Sequence, residues 1–277
     1  MGLLYTKIKI FHYKDKLDSL PKDAKRVLAP IHIRIKPTNV CNHNCHYCAY
    51  RVENLQLGKD MIVRDHIPRD KMLEIIDDLG QMGVEAVTFS GGGEPFCYPY
   101  LSDTVKKLIK TKIKFATLTN GSLLQGEIAE IFAHKATWVR ISIDGWNDKS
   151  YSLYRRVPSG EFAKVIRNIK EFRKFKGNCY LGASVIVDKK NAPHILELVK
   201  LLKKAGVHSV KVSPCIISNE GRANNRYHKP IFKVVKEQLV RAEKQFARKG
   251  FEICDAYHEL DEKFSKNYSW CPYLQVL

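Results

Sequence analysis

Residues 31–48 read Ile31-His-Ile-Arg-Ile-Lys36-Pro-Thr-Asn-Val-Cys41-Asn-His-Asn-Cys45-His-Tyr-Cys48. An isoleucine-rich run gives way at once to a polar loop holding three cysteines in eight positions. The run Ile31–Lys36 predicts a strand, so the cysteine loop lies at a strand's C-terminal end. The same order, β-rich run and then amphipathic helical run, recurs downstream. Further strands are expected over Ala86–Ser90, Lys114–Thr119, Trp138–Ile143, Tyr180–Val187 and Ser209–Ser213. Their near-continuous apolar or β-branched character suits strands covered on both faces.

Helices are expected over Arg69–Met82, Leu101–Thr111, Leu123–His134, Glu161–Phe175, Ala192–Ala205 and Ile231–Lys249. Leu73, Ile76, Leu79 and Met82 recur at helical spacing, as do Ile195, Leu198, Val199 and Leu202. Gly83 and Gly206 follow their helices, as C-terminal stops do. Repeated βα units imply parallel strands with right-handed crossovers. The fold class is α/β, a partial (β/α)6 TIM-like barrel over residues 31–250, with an open doubly wound sheet as the alternative. Both place a working site at the C-terminal ends of the strands. Residues 1–30 read as an N-terminal appendage. After about Gly250 the alternation stops, and residues 251–277 read as the beginning of a C-terminal extension.

The chain has 277 residues, 44% hydrophobic and 27% charged, which fits a globular protein with a substantial core. Lys and Arg number 47 against 29 Asp and Glu, a formal charge of +18. That balance favours anionic partners, although much of it falls on expected outer helices such as Lys106–Lys114 and Lys233–Lys249. The basic-aromatic pattern of an RNA-reading module is missing, so nucleic acid is not favoured. No apolar run of about 18 residues is present, so no membrane-spanning helix is expected. Met1–Ile10 lacks a signal-peptide core, and the expected location is cytoplasmic. There are eight cysteines. Clustered thiols in such a chain point to metal rather than disulfides.

Cys41, Cys45 and Cys48 follow a C-x3-C-x2-C spacing that can wrap one metal centre from a single loop. Thiolate is the soft ligand preferred by zinc and by iron–sulfur clusters. A structural zinc site would take His43 or His46 as fourth ligand; an iron–sulfur cubane with three protein ligands would keep one iron open. The triplet alone leaves both standing.

The second strand ends in Gly91-Gly92-Gly93-Glu94-Pro95. Consecutive glycines let backbone approach a ligand closely, and Glu94 offers a carboxylate to an amine. A phosphate loop would need a Lys-Ser/Thr pair after the glycines, and none follows. Together with the triplet, these residues resemble the radical S-adenosylmethionine (radical SAM) superfamily. Cys41, Cys45, Cys48 and the aromatic Tyr47 match its cysteine motif, and Gly92-Gly93-Glu94-Pro95 matches its glycine motif. The resemblance covers about Ile31 to Lys249.

The resemblance implies a [4Fe–4S] cluster on the three cysteines and S-adenosyl-L-methionine on its fourth iron. Tyr47 would help place the adenine, and Gly92, Gly93 and Glu94 would hold the methionyl amine. Ser142 and Arg155 would reach the ribose or carboxylate, with Arg156 a competitor. Asn120 and Asp144, at the ends of the third and fourth strands, serve either as ligands or as turn formers. Gly182-Ala-Ser184-Val-Ile186 loosely fits an adenine-contacting strand. Cys97, Cys179 and Cys215 read as structural thiols.

Cys271-Pro-Tyr-Leu-Gln-Val-Leu277 resembles the start of a SPASM or Twitch extension, where a cysteine begins an auxiliary iron–sulfur cluster; the expectation is a truncated chain or a vestigial site. The implied activity is reductive cleavage of S-adenosylmethionine to a 5′-deoxyadenosyl radical, which takes hydrogen from a substrate. That substrate is a peptide or protein side chain, or a sugar- or nucleotide-linked small molecule, and a reduced flavodoxin- or ferredoxin-type protein supplies the electron. Beyond the cluster ligands no catalytic residue stands out. A non-enzymatic iron–sulfur electron carrier or zinc-binding module is the alternative.

Overall fold

A computed structural model describes residue 13, residues 29–52, residue 55 and residues 58–258. Most of the expected N-terminal appendage and most of the C-terminal extension, with Cys271, lie outside the described residues. Seven strands form one sheet in the order of the chain: β1 His32–Ile35, β2 Ala86–Phe89, β3 Lys114–Thr119, β4 Trp138–Ser142, β5 Tyr180–Val187, β6 Ser209–Pro214 and β7 Glu252–Asp255. Every neighbouring pair is parallel. An open doubly wound sheet would reverse its strand order at a switch point; this order never reverses, so the sheet is of the TIM-like barrel kind.

The helices are α1 Arg69–Gln81, α2 Leu101–Ile109, α3 Gly126–Lys135, α4 Asp148–Arg155, α5 Glu161–Lys174, α6 Ile195–Ala205, α7 Gly221–His228 and α8 Phe232–Phe246. Strand side chains alternate between faces. Val139 and Ile141 of β4, Leu181, Ala183, Val185 and Val187 of β5, and Val210 and Val212 of β6 are fully buried with the helices. Arg140, Ser142, Ser184, Ile186, Lys211 and Ser213 lie on the other, concave face and are only partly covered. Helix α6 buries Ile195, Leu198, Val199, Leu202 and Ala205, and ends at Gly206 with φ 100°. The left-handed φ there is one that glycine adopts without a Cβ penalty. Helix α1 buries Met72, Ile76 and Leu79; Met82, expected on that face, is 53% exposed because the helix ends before it. Among the described residues no helix is long and apolar enough to cross a membrane.

Three elements depart from the expectation. Strand β7 continues the sheet past Gly250, where the alternation was expected to stop. It is four residues long, with Glu252 exposed and its other three residues half-buried, so it lacks an apolar run. Helix α4 is short and polar, and its signal is a capping box: Asn147 Oδ1 accepts from Ser150 N while Ser150 Oγ accepts from Asn147 N, both at 2.9 Å. Helix α7 is polar all round and is held by Asn224, whose side-chain amide donates to the carbonyls of Ser218 and Glu220.

Candidate functional site

The cysteine loop leaves β1 at the C-terminal edge of the sheet and is pinned along its stem. Thr38 Oγ1 accepts from Val40 N at 3.0 Å, and Asn39 N donates to Asp65 O at 2.8 Å. The glycine motif docks on this stem: Gly93 N donates to Thr38 O at 2.8 Å, and Glu94 N to Val40 O at 2.9 Å. A Cβ at Gly93 would lie 2.0 Å from Val40 O, and one at Gly92 would lie 2.7 Å from Asn39 Oδ1. The absent side chains therefore allow backbone to meet backbone. The Gly93 and Glu94 amides are thus spent on the cysteine loop.

Helix α4 holds the other side of the loop. Its last carbonyls, Tyr154 O and Arg155 O, accept from His46 N at 3.2 Å and Asn44 N at 3.0 Å. Orphaned carbonyls at a helix C-terminus need such donors. Arg155, 4% exposed, then turns back to the loop. Its Nη2 donates to Asp144 Oδ2 at 2.6 Å and to Ser142 Oγ at 3.1 Å, and its Nη1 lies 3.4 Å from Cys45 Sγ. Tyr47 OH donates to Asp144 Oδ2, and Ile186 N donates to Asp144 Oδ1 at 2.6 Å. Burial alone would lower the Arg155 pKa; Tyr47, Asp144 and Cys45 beside it more than offset that. The structure thus gathers Tyr47, Ser142 and Arg155 against Cys45, and makes Asp144 the group that fastens them.

Glu94 is buried, and its carboxylate accepts from Thr119 Oγ1 at 2.5 Å, Asn120 N at 2.7 Å and Phe96 N at 3.2 Å. Burial pushes its pKa up against these hydrogen bonds. Three of about four acceptor positions of an ionised carboxylate are then in use. Asn120 donates from Nδ2 to Asn42 Oδ1 at 2.8 Å, and Asn42 Nδ2 donates to Ser122 Oγ at 2.8 Å. Asn42, between the first two cysteines, was not singled out from sequence. Nor were Thr119 and Ser122; their one signal is their place at the end of β3. Asp188, at the end of β5, was missed too: it accepts from Tyr154 OH, and its Oδ2 lies 3.6 Å from His46 Nε2.

The donor set suits an iron–sulfur cluster. Cys41, Cys45 and Cys48 are free, half-buried thiols on one loop. Burial pushes Cys41 up to about 12 and raises Cys48 as well, so a metal must displace their protons to bind. The close approach of Gly93 braces the loop, and the Arg155 guanidinium offers an N–H to the Cys45 sulfur. Among the described residues no three His, Cys, Asp or Glu side chains converge on one ion, as the ligands of a mononuclear zinc site must. The thiolates of a cubane each take a separate iron of one cluster, so their sulfurs surround the cluster rather than a single ion. Of the histidines offered for zinc, His43 is buried edge-on to Tyr151, with Nε2 3.6 Å from Glu161 Oε1 and neither ring nitrogen hydrogen-bonded, and His46 Nδ1 lies 3.3 Å from Tyr154 O. Of the other thiols, Cys179 and Cys215 are buried, and Cys97 sits 3.7 Å from Asn42 Oδ1.

Comparison with known proteins gives three findings. The profile of the Radical SAM superfamily matches residues 35–189. A serine-type anaerobic sulfatase-maturating enzyme of Bacteroides thetaiotaomicron is 29% identical over 201 residues, 68% of this chain and 47% of that one. A GTP 3',8-cyclase of Clostridium perfringens is 26% identical over 175 residues, 62% of this chain and 52% of that one. The chain therefore spans about half the length of these curated relatives. Among solved structures, Streptococcus suis SuiB bound to precursor peptide SuiA superposes with a TM-score of 0.62 at 18% identity, over 89% of this chain and 54% of that one.

Proposed function

Because the chain belongs to the radical SAM superfamily, we propose that it cleaves S-adenosylmethionine reductively and uses the product radical to take hydrogen from a substrate held in the barrel. Members of that family carry a [4Fe–4S] cluster and use S-adenosylmethionine. When bound, the two together supply a 5′-deoxyadenosyl radical by one-electron cleavage of the sulfonium. Everything else is done by this chain: it binds, orients and excludes water.

Cys41, Cys45 and Cys48 would hold the cluster. Arg155 holds a positive charge beside Cys45 and anchors Ser142, so the row of residues facing the cofactor is fixed before it arrives. Asp144 orients both Arg155 and Tyr47. Glu94, by clamping Asn120 to the glycine motif, keeps the loop stem in place. Gly92 and Gly93 set the distance between stem and strand. The single observation that carries the reading is the 3.4 Å approach of Arg155 to Cys45 Sγ, which joins the cysteine motif to the end of β4.

The zinc module and the electron carrier call for none of these inward-facing polar groups. For the substrate, the sulfatase-maturating enzyme and the peptide-bound neighbour favour a peptide or protein side chain. The GTP cyclase favours a nucleotide-linked small molecule. A reduced flavodoxin- or ferredoxin-type protein is the proposed electron source, and a reducing cytoplasmic compartment would keep the three thiols competent.

Anaerobic reconstitution with iron and sulfide, followed by dithionite and S-adenosylmethionine, tests the core reading. The wild type should form 5′-deoxyadenosine. Cys45→Ala should hold little cluster iron and form none. Undiminished cleavage by that variant would contradict the ligand assignment.

A further inference from the structure

The turn after the third cysteine carries a guanidinium that the site described above leaves unused. Cys48 O accepts from Arg51 N at 2.8 Å and from Val52 N at 3.0 Å, which folds Arg51 back beside the loop. Residues 58–65 then return to it. A Cβ at Gly58 would stand 2.2 Å from Tyr50 O, so backbone lies directly on backbone there. Asn39 Nδ2 donates to Ile62 O at 2.9 Å and ties the returning segment to the loop stem. Arg51 lines a cavity of about 420 Å³ with Asn44, Tyr50 and Lys59, and Asn44 is the neighbour of Cys45. The Nη2 of Arg51 is buried and has no hydrogen-bond partner. Asp60 and Asp65, the described carboxylates of the returning segment, are exposed and form no ion pair with it.

A buried N–H left without an acceptor costs the desolvation of that group, so its acceptor must be sought. The groups on which the Arg51 charge acts are thiols. Burial raises the pKa of Cys41, Cys48 and Cys97, and Arg51 opposes it at all three. On the other flank Arg155 reaches Cys45, but it shares its charge with Asp144 at 2.6 Å. Three thiolates outweigh the positive iron–sulfur core, so the cluster is anionic, and reduction adds a further negative charge. A cation with no carboxylate of its own favours that reduced state. We propose that Arg51 is a positioning residue for electron entry. It gives the cluster an unshared positive charge and an N–H on the Cys41 and Cys48 side, and so raises the potential at which the cluster is reduced. The proposal rests on the radical SAM reading of this loop.

Redox titration of the anaerobically reconstituted full chain tests this, without S-adenosylmethionine and read by the electron paramagnetic resonance of the reduced cluster. In Arg51→Met the ratio of reduced to oxidised cluster at a fixed potential should fall about tenfold, a midpoint about 59 mV more negative. Arg51→Lys keeps the charge and should recover most of the shift. Lys233→Met, on a side chain 90% exposed on α8, should leave the midpoint unchanged. A wild-type midpoint in Arg51→Met overturns the proposal, as does an equal fall in Lys233→Met. Where Arg51→Met takes up no cluster, Arg51→Lys is compared with Arg51→Gln, and equal midpoints in those two overturn it. A loss of S-adenosylmethionine affinity with the midpoint unmoved would give Arg51 to the cofactor and overturn it too. If the wild type takes up no [4Fe–4S] cluster, the radical SAM reading fails and this proposal with it. If the wild type forms 5′-deoxyadenosine while the Arg51 variants titrate as it does, this proposal alone fails.

Discussion

Arg155 shows how much one side chain is asked to do. It is 4% exposed and its partner Asp144 is fully buried, so neither charge has water to fall back on. Removing one member of a buried ion pair strands the other, at about 3–5 kcal/mol. Arg155→Met is therefore expected to lose about that much stability in urea denaturation, and Asp144→Asn in the same chain should restore part of it. The same substitution removes the N–H that faces Cys45 Sγ. Hydrogen bonds to cluster sulfurs help set reduction potential, so the reconstituted variant should show a more negative midpoint in a redox titration. An unchanged midpoint would mean that the contact does not persist with the cluster in place.

At the scale of elements, the joint between the glycine motif and the cysteine loop is the most constrained feature. Gly93→Ala would push a Cβ to 2.0 Å from Val40 O. Overpacking of this kind costs about 1–3 kcal/mol, and iron retained after reconstitution should fall with it. Gly80→Ala, in α1 with nothing within 4 Å of the new Cβ, should instead stabilise by about 0.4–1 kcal/mol. The contrast in urea midpoints checks whether approach, rather than loss of glycine as such, matters. Much of this arrangement was readable in advance. Lys114–Thr119 and Tyr180–Val187 match their strands end to end because their apolar runs are long and bounded by turn residues. The cysteine loop was legible as a loop at the end of β1, whereas Tyr47, Ser142 and Arg155 were named only through the resemblance, Arg155 from about a dozen residues past β4; the structure brings these three together around Asp144 and Cys45. What was not legible was pairing. That the glycines serve the loop stem, that Glu94 is clamped by Thr119 and Asn120, and that Asn42 bridges to Ser122 all depend on contacts between residues 25 to 80 positions apart in sequence. Helices α4 and α7 escaped because polar caps and side-chain amides, rather than apolar periodicity, hold them.

For the molecule as a whole, the formal +18 sets a background repulsion that the fold must carry. Net charge of one sign works against compactness. Raising salt from about 10 to about 150 mM shortens the Debye length from about 30 to about 8 Å, and the thermal midpoint should rise accordingly. A midpoint that falls instead would mean that attractive surface pairs such as Lys71–Glu74 and Lys107–Asp77 dominate the balance. The sheet's two outer strands add a consequence of another kind. β1 and β7 are four residues each, shorter than the interior strands β3, β5 and β6. A rim with unpaired amides invites foreign strands to zip on, and short rims are one way proteins discourage it. Here the outer strands of the described sheet are only four residues each, so any further strand laid along either rim would find too short a template for amyloid-like stacking.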